Sequence, residues 1–189
     1  MQVSILCGGK SSRMQSEKGL VLYQNKPFIE HIIDAILPIS SNIHLITNTN
    51  EYDYLKYRKI KDIIIDKGSL GGIYSALANS DSEINLILSC DIPLISTEIL
   101  LELVAKHHSN FDVSVFEDKE SLHPLIGIYS KQIVPILKQS IDENDLKMMW
   151  FLSKVKTQQI LVDDVKSQFF KNINSLAELN ELNTNFIQN

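Results

Sequence analysis

Four short apolar runs, separated by longer stretches of helical spacing, constrain this chain more than any other feature. Val3–Leu6, Ile43–Thr47, Asp62–Ile65 and Asn85–Ser89 read as strands, and Phe28–Leu37, Glu51–Arg58, Leu70–Ala78 and Thr97–His107 read as helices. Runs that are apolar throughout must be covered on both faces. Strands of that kind alternating with helices predict a mostly parallel central sheet between two helical layers, with right-handed crossovers. Pro27 suits the first helical turn before Phe28, and Ser96 with Glu98 suits a helix start before Ile99.

Beyond residue 110 the pattern loosens. Val113–Phe116, Leu125–Tyr129, Gln159–Val162 and Phe169–Ile173 read as strands, and Gln132–Gln139 and Leu146–Leu152 as helices. Ser175-Leu176-Ala177-Glu178 is a capping-box pattern, which predicts a last helix to about Leu182 and a frayed polar tail over Asn183–Asn189. Length and a 44% hydrophobic content suit one domain with a packed core over residues 1–189. The net charge of −5 argues against a general nucleic-acid binder. No run of about 18 apolar residues suggests a membrane span, and the start of the chain lacks the layout of a signal peptide. Two cysteines, Cys7 and Cys90, imply neither a disulfide framework nor a zinc site, so a reducing cytoplasm is expected and both read as buried, inert thiols. His107-His108 reads as a solvated helix end, and Trp150 with Met148, Met149 and Phe151 as core or interface.

The chemistry concentrates where the strands end. Leu6-Cys7-Gly8-Gly9-Lys10-Ser11-Ser12-Arg13-Met14-Gln15-Ser16-Glu17-Lys18 follows the first strand and packs two glycines, three serine hydroxyls and three cations into one short loop. Glycines let the backbone approach a ligand, successive N–H groups form an anion-binding concavity, and Lys10, Arg13 and Lys18 add charge-assisted contacts to phosphate oxygens. The spacing fits neither G-x-x-x-x-G-K-[ST] nor G-x-G-x-x-G, which argues against a P-loop NTPase and a dinucleotide-binding dehydrogenase. Leu86-Ile87-Leu88-Ser89-Cys90-Asp91-Ile92-Pro93 ends a second buried strand in a carboxylate. Ligands of open parallel sheets bind outside such ends; Asp91 fits a Mg²⁺ ligand, which needs only one or two carboxylates, or the cap of a following turn. Ile63-Ile64-Ile65-Asp66 repeats the form, leading into Lys67-Gly68-Ser69-Leu70-Gly71-Gly72, which fits a ligand turn or a plain helix start.

Leu-Cys-Gly-Gly-Lys-x-x-Arg-Met-x-x-x-Lys resembles the L-A-G-G-x-x-x-R-M-G-x-x-K signature of nucleotidyltransferases with a Rossmann-like fold, and within them is most similar to the molybdenum cofactor guanylyltransferases. The resemblance covers nearly the whole chain and implies a three-layer α/β/α fold, with a nucleotide-binding half over 1–110 and an acceptor-binding half over 111–182. It implies Mg²⁺-dependent transfer of GMP from GTP to the phosphate of molybdenum-bearing molybdopterin, and transient contact with other cofactor-biosynthesis proteins or target apo-enzymes. On it, Leu6, Cys7, Gly8, Gly9, Lys10, Lys18, Asn48, Asp66, Gly71 and Asp91 bind the nucleotide. Arg13, Lys18 and Asp91 serve catalysis, Asp91 holds the metal, and His123, Asn172 and Asn174 face the acceptor. Asn172 and Asn174 alternate along the expected strand and so share a face. Departures from the family pattern are Cys7 for Ala, Gln15 for Gly, Glu17 for Asp, Ser69 for Pro and Gly71 for Ala. Two alternatives stand beside this reading: a cytidylyl- or uridylyl-transferase acting on another phosphorylated acceptor, and a non-catalytic nucleotide-binding module.

Overall fold

β1 (Gln2–Leu6) is buried along its whole length, with Val3 and Ile5 facing one side of the sheet and Leu6 the other. It is the hub of a computed structural model that describes residues 1–8 and 17–187. A 3-10 turn at Lys18–Leu20 leads into a small hairpin, β2 (Leu22–Tyr23) and β3 (Lys26–Pro27), and then α1 (Phe28–Ile36). β4 (Ile43–Ile46), β5 (Arg58–Ile60), α2 (Gly68–Ala78), β6 (Ile84–Ser89) and α3 (Thr97–Lys106) follow. The second half holds β7 (Val113–Glu117), β8 (Leu122–Ser130), α4 (Val134–Asp142), α5 (Met148–Ser153), β9 (Thr157–Leu161), α6 (Asp164–Ser167) and α7 (Leu176–Ile187).

Among the described residues, seven strands form one sheet in the order β5-β4-β1-β6-β8-β7-β9. β8 runs against both of its neighbours, and every other pairing is parallel. α1 and α3 pack with Val3, Ile5, Leu86 and Leu88 on one face; α2, α4 and α5 pack with Leu6, Ile46 and Ile87 on the other. This is the three-layer α/β/α architecture expected of the alternating pattern. A third, smaller apolar cluster joins Val21, Tyr23 and Phe28 to Ile173 and Leu179, tying the β2–β3 hairpin to α7.

Several local expectations are corrected. Glu51–Arg58 is a series of turns around the fully buried Tyr52, and the strand beside β4 is Arg58–Ile60. Thr47 N–H donates to the Ile60 carbonyl and closes that ladder. The next residues are then drawn away from the sheet, because Asp62 N–H goes to Asn48 Oδ1 and Ile63 N–H to Ser75 Oγ. Asp62–Ile65 is therefore not a strand, and Ile63 and Ile65 are half or more exposed. Phe169–Ile173 is likewise no strand: a 3-10 turn at Gln168–Phe170 carries the chain across the end of the sheet, with Phe170 and Ile173 buried in different clusters. α7 continues to Ile187, past the expected end at Leu182. Met149 and Trp150 lie exposed on α5, which leaves only the interface half of the expectation for them, while Phe151 is fully buried in the core. His107 is half-buried, not solvated, and its Nδ1 sits 2.8 Å from Ser114 Oγ. Burial and the neighbouring His108 hold its pKa below the usual histidine value.

Candidate active site

The carboxyl ends of three parallel strands meet at one place. Cys7 N–H donates to the Ile46 carbonyl (2.9 Å) and Cys90 N–H to the Leu6 carbonyl (3.2 Å), so β4, β1 and β6 release their loops side by side. The chain order reverses across β1 and β6, the position where an open α/β sheet leaves a crevice. A cleft of about 780 Å³ opens there, lined by Leu6, Cys7, Gly8, Lys18, Asn48 and Asp91 among others. The first turn of α2 forms its opposite wall.

Asp91 is the polar centre of this cleft. Its side chain is 11% exposed, Ser89 Oγ donates to Oδ1 (2.5 Å), and the Lys18 ammonium donates to Oδ2 (3.0 Å). The same ammonium donates to Asn174 Oδ1 (2.6 Å). Each member arrives by a different route. Lys18 opens the 3-10 turn, where Gly19 is packed so closely that a Cβ on it would lie 2.8 Å from Tyr52 Oη and 3.3 Å from Cys90 Cβ. Asn174 is brought in from far along the chain by Ile173 N–H, which donates to the Asp91 carbonyl (2.9 Å). The expected capping box then fixes it: Glu178 N–H goes to Ser175 Oγ (3.2 Å), and the Glu178 carboxylate accepts from Asn174 N–H.

At the β1–β4 side, Asn48 and Asp62 bind each other twice, through Asn48 Nδ2 to Asp62 Oδ2 (2.8 Å) and Asp62 N–H to Asn48 Oδ1 (3.0 Å). Asp62 Oδ1 is sealed from solvent without a hydrogen-bond partner among the described residues. Oδ2 lies 4.0 Å from where a Cβ on Gly8 would stand. Asp66, the carboxylate singled out from the sequence, sits exposed on a left-handed turn (φ 60°) at the cleft edge. Gly71 does not line the cleft; a Cβ there would lie 2.8 Å from Lys67 Cβ, and the neighbouring Gly72 faces the site against Leu6. Gly9, Lys10 and Arg13 lie outside the described residues. Burial, then the hydrogen bond and charge of Cys90, push the Cys7 thiol well above its usual pKa, which suits an inert wall.

His123 and Asn172 line a second cavity of about 490 Å³, which adjoins the cleft through the shared Leu125. Asn174 does not join them: with no strand at 169–173, the two asparagines part, Asn172 to this cavity and Asn174 to Lys18. Residues that sequence reasoning missed are Asp62, Ser89, Gly19, Gly72 and Asp118. Ser89 stood in the quoted Leu86–Pro93 run, and a hydroxyl two residues before a strand-end carboxylate was the available signal.

Residues 3–158 match the MobA-like NTP transferase domain. The chain belongs to this family. It is accordingly a nucleotidyltransferase, as the loop from Leu6 to Lys18 led one to expect. A protein of Flavobacterium johnsoniae named probable molybdenum cofactor guanylyltransferase is 61% identical over 181 residues, covering 96% of this chain and 95% of that one. One of the same name from Carboxydothermus hydrogenoformans is 34% identical over 187 residues, 96% of this chain and 94% of that one. In fold, the chain is similar over its whole length to the whole of the molybdopterin-guanine dinucleotide biosynthesis protein A of Archaeoglobus fulgidus, with a TM-score of 0.85 at 20% identity. Asn174 lies beyond the stretch matched to the family domain, so the partner of Lys18 comes from the C-terminal segment. No helix among the described residues is long and apolar enough to cross a membrane.

Proposed function

We propose that this member of the family transfers GMP from GTP to the phosphate of molybdenum-bearing molybdopterin, forming the guanine dinucleotide and pyrophosphate. The observation that carries this reading is the Lys18–Asp91–Asn174 cluster at the strand-end side of a nucleotide-sized cleft; the names of the relatives supply the guanine and the pterin. In the reaction an acceptor phosphate oxygen bonds to the α-phosphorus of GTP, and the bond from that phosphorus to the bridging β-oxygen breaks. The protein's contribution is positioning and charge neutralisation.

Lys18 has three N–H donors and spends two on Asp91 and Asn174, leaving the third for a phosphate oxygen. Asp91 fits Mg²⁺: it offers hard oxygen donors at a cleft wall, and an ion that draws most of its ligands from water and phosphate needs a single carboxylate. Asp91 would hold the ion, which when bound neutralises triphosphate charge and polarises the α-phosphate. Asn174 holds the lysine ammonium in place while Ser89 orients the carboxylate. Gly8 leaves the backbone open to phosphate at the cleft wall, and by the family resemblance Gly9 joins it in binding phosphate while Lys10 and Arg13 balance the charge. Asp62, held by Asn48 at the cleft wall, offers a carboxylate acceptor that suits an N–H of guanine or a ribose hydroxyl.

A thermal-shift panel of the four nucleoside triphosphates with Mg²⁺ tests the nucleotide, since a selective ligand stabilises by mass action. GTP is expected to give the largest shift, and incubation with GTP and molybdopterin to give the guanine dinucleotide. A larger shift with CTP or UTP, and product from it, would replace the guanylyl reading by a pyrimidine one. GTP binding without turnover on the pterin would leave a binding module.

A further inference from the structure

The second cavity contains a side-chain pair whose geometry does more than line a wall. His123 Nε2 lies 2.8 Å from Asp118 Oδ2. The other Asp118 oxygen, Oδ1, accepts from the N–H groups of Glu120 and Ser121, both at 2.9 Å. Every oxygen of this carboxylate is thus committed, and its side chain is only 6% exposed. Burial alone would raise the Asp118 pKa, but the His123 ring and the two backbone N–H groups together hold it below the usual value, so it is an anion. An acceptor-only group facing Nε2 requires the proton there.

The ring is fixed in plane as well as in protonation. Phe170, itself buried, lies against it at 4.7 Å between centroids and 32° between planes, and Phe116 backs Phe170 at 5.0 Å. A shift in register between Val115 and Phe116 sets Phe116 opposite His123 across the β7–β8 pair. Nδ1 makes no hydrogen bond to any described residue, nor is it among the side-chain atoms sealed from solvent, and the residue lines the cavity beside Leu125.

We infer that Asp118 is a positioning residue that holds His123 as the Nε2–H tautomer, so that Nδ1 presents a lone pair to the cavity and selects an acceptor substrate carrying an N–H donor there. The inference rests on the proposed transfer to a pterin, whose heterocycle carries such N–H groups along one edge. A stacked, single-acceptor imidazole discriminates by leaving its own lone pair unpaired when the ligand lacks the matching donor.

The variant Asp118→Asn provides an inversion test. The amide oxygen must remain on the Glu120 and Ser121 N–H groups, which puts the amide NH₂ against His123 Nε2. That nitrogen must then be the acceptor, and the proton moves to Nδ1. Imidazole ¹⁵N NMR of the labelled wild-type protein at pH 7.5 is expected to show protonated Nε2 and unprotonated Nδ1, and the variant to show the reverse. In steady-state assays the variant should raise the KM for molybdopterin by about tenfold, the loss of one ligand hydrogen bond, with kcat and the KM for GTP within about twofold. Asp118→Glu, which keeps an acceptor-only carboxylate, should recover part of the lost affinity. Wild-type NMR needs no variant and decides alone: an Nδ1–H tautomer, or a ring protonated on both nitrogens, would overturn the inference. So would an inverted tautomer with unchanged molybdopterin KM. Absence of dinucleotide formation by the wild-type protein would instead overturn the functional reading, whatever the NMR spectrum shows.

Discussion

The two recesses of this molecule are built in opposite ways. The cleft at the ends of β4, β1 and β6 is assembled from parts far apart in sequence: Lys18 meets Asp91 and Asn174, 73 and 156 residues away. In the second cavity the polar pair is local, with Asp118 and His123 five residues apart across one turn, while Phe170 and Asn172 close the cavity from the C-terminal segment. Parallel strands must be joined by long crossovers, so their ends collect side chains from distant segments; antiparallel strands can be joined by a short turn that carries a complete pair. The parallel end therefore concentrates charge and suits a triphosphate. The antiparallel end holds one imidazole fixed between a carboxylate and an aromatic ring, and suits recognition of a ring.

If this division holds, damage to the cleft should lower turnover and damage to the cavity should change only what is accepted. The largest effect is expected from Asp91→Asn, which keeps shape and removes the charge: kcat should fall on the order of 10²–10³-fold. Lys18→Ala should cost about 2–4 kcal/mol of transition-state stabilisation, measured from kcat/KM. Gly19→Ala acts one step back. Its methyl would lie 2.8 Å from the Tyr52 hydroxyl and 3.3 Å from Cys90, so thermal unfolding should show a loss of about 1–3 kcal/mol, with kcat falling as Lys18 is displaced. Asn174→Ala removes one of the two anchors of the lysine ammonium and should cost about 1 kcal/mol in kcat/KM, leaving the melting temperature nearly unchanged. A cavity variant that reduced kcat as strongly as Asp91→Asn would dissolve the distinction between the two regions.

The same contrast explains which parts could be read in the sequence. β1, β6 and the helices between them were legible because each carries a continuous apolar run or a helical stripe, and Lys18 and Asp91 because they follow such runs directly. β5 was not: Arg58-Lys59-Ile60 is three residues long with two charges, and it is a strand because β4 offers an edge that Thr47 closes. The triplet Ile63-Ile64-Ile65 gave the stronger local signal and misled, since the Asp62 and Ile63 N–H groups donate to the Asn48 and Ser75 side chains and so leave the sheet. That error carried the choice of carboxylate with it, to Asp66 at the end of the triplet and away from Asp62 at its start. Asn174 was legible as a residue but not as a contact, because its meeting with Lys18 depends on Ile173 reaching the Asp91 carbonyl and on the third apolar cluster.

The central claim is that the Lys18–Asp91–Asn174 cluster is where GMP transfer occurs. Its most direct test is single-turnover formation of the guanine dinucleotide from saturating GTP, Mg²⁺ and molybdopterin, with wild-type protein and Asp91→Asn side by side and folding verified by thermal melting. The wild type should form product, and the folded variant should do so at least about 100-fold more slowly. A folded Asp91→Asn protein working at the wild-type rate would contradict the account.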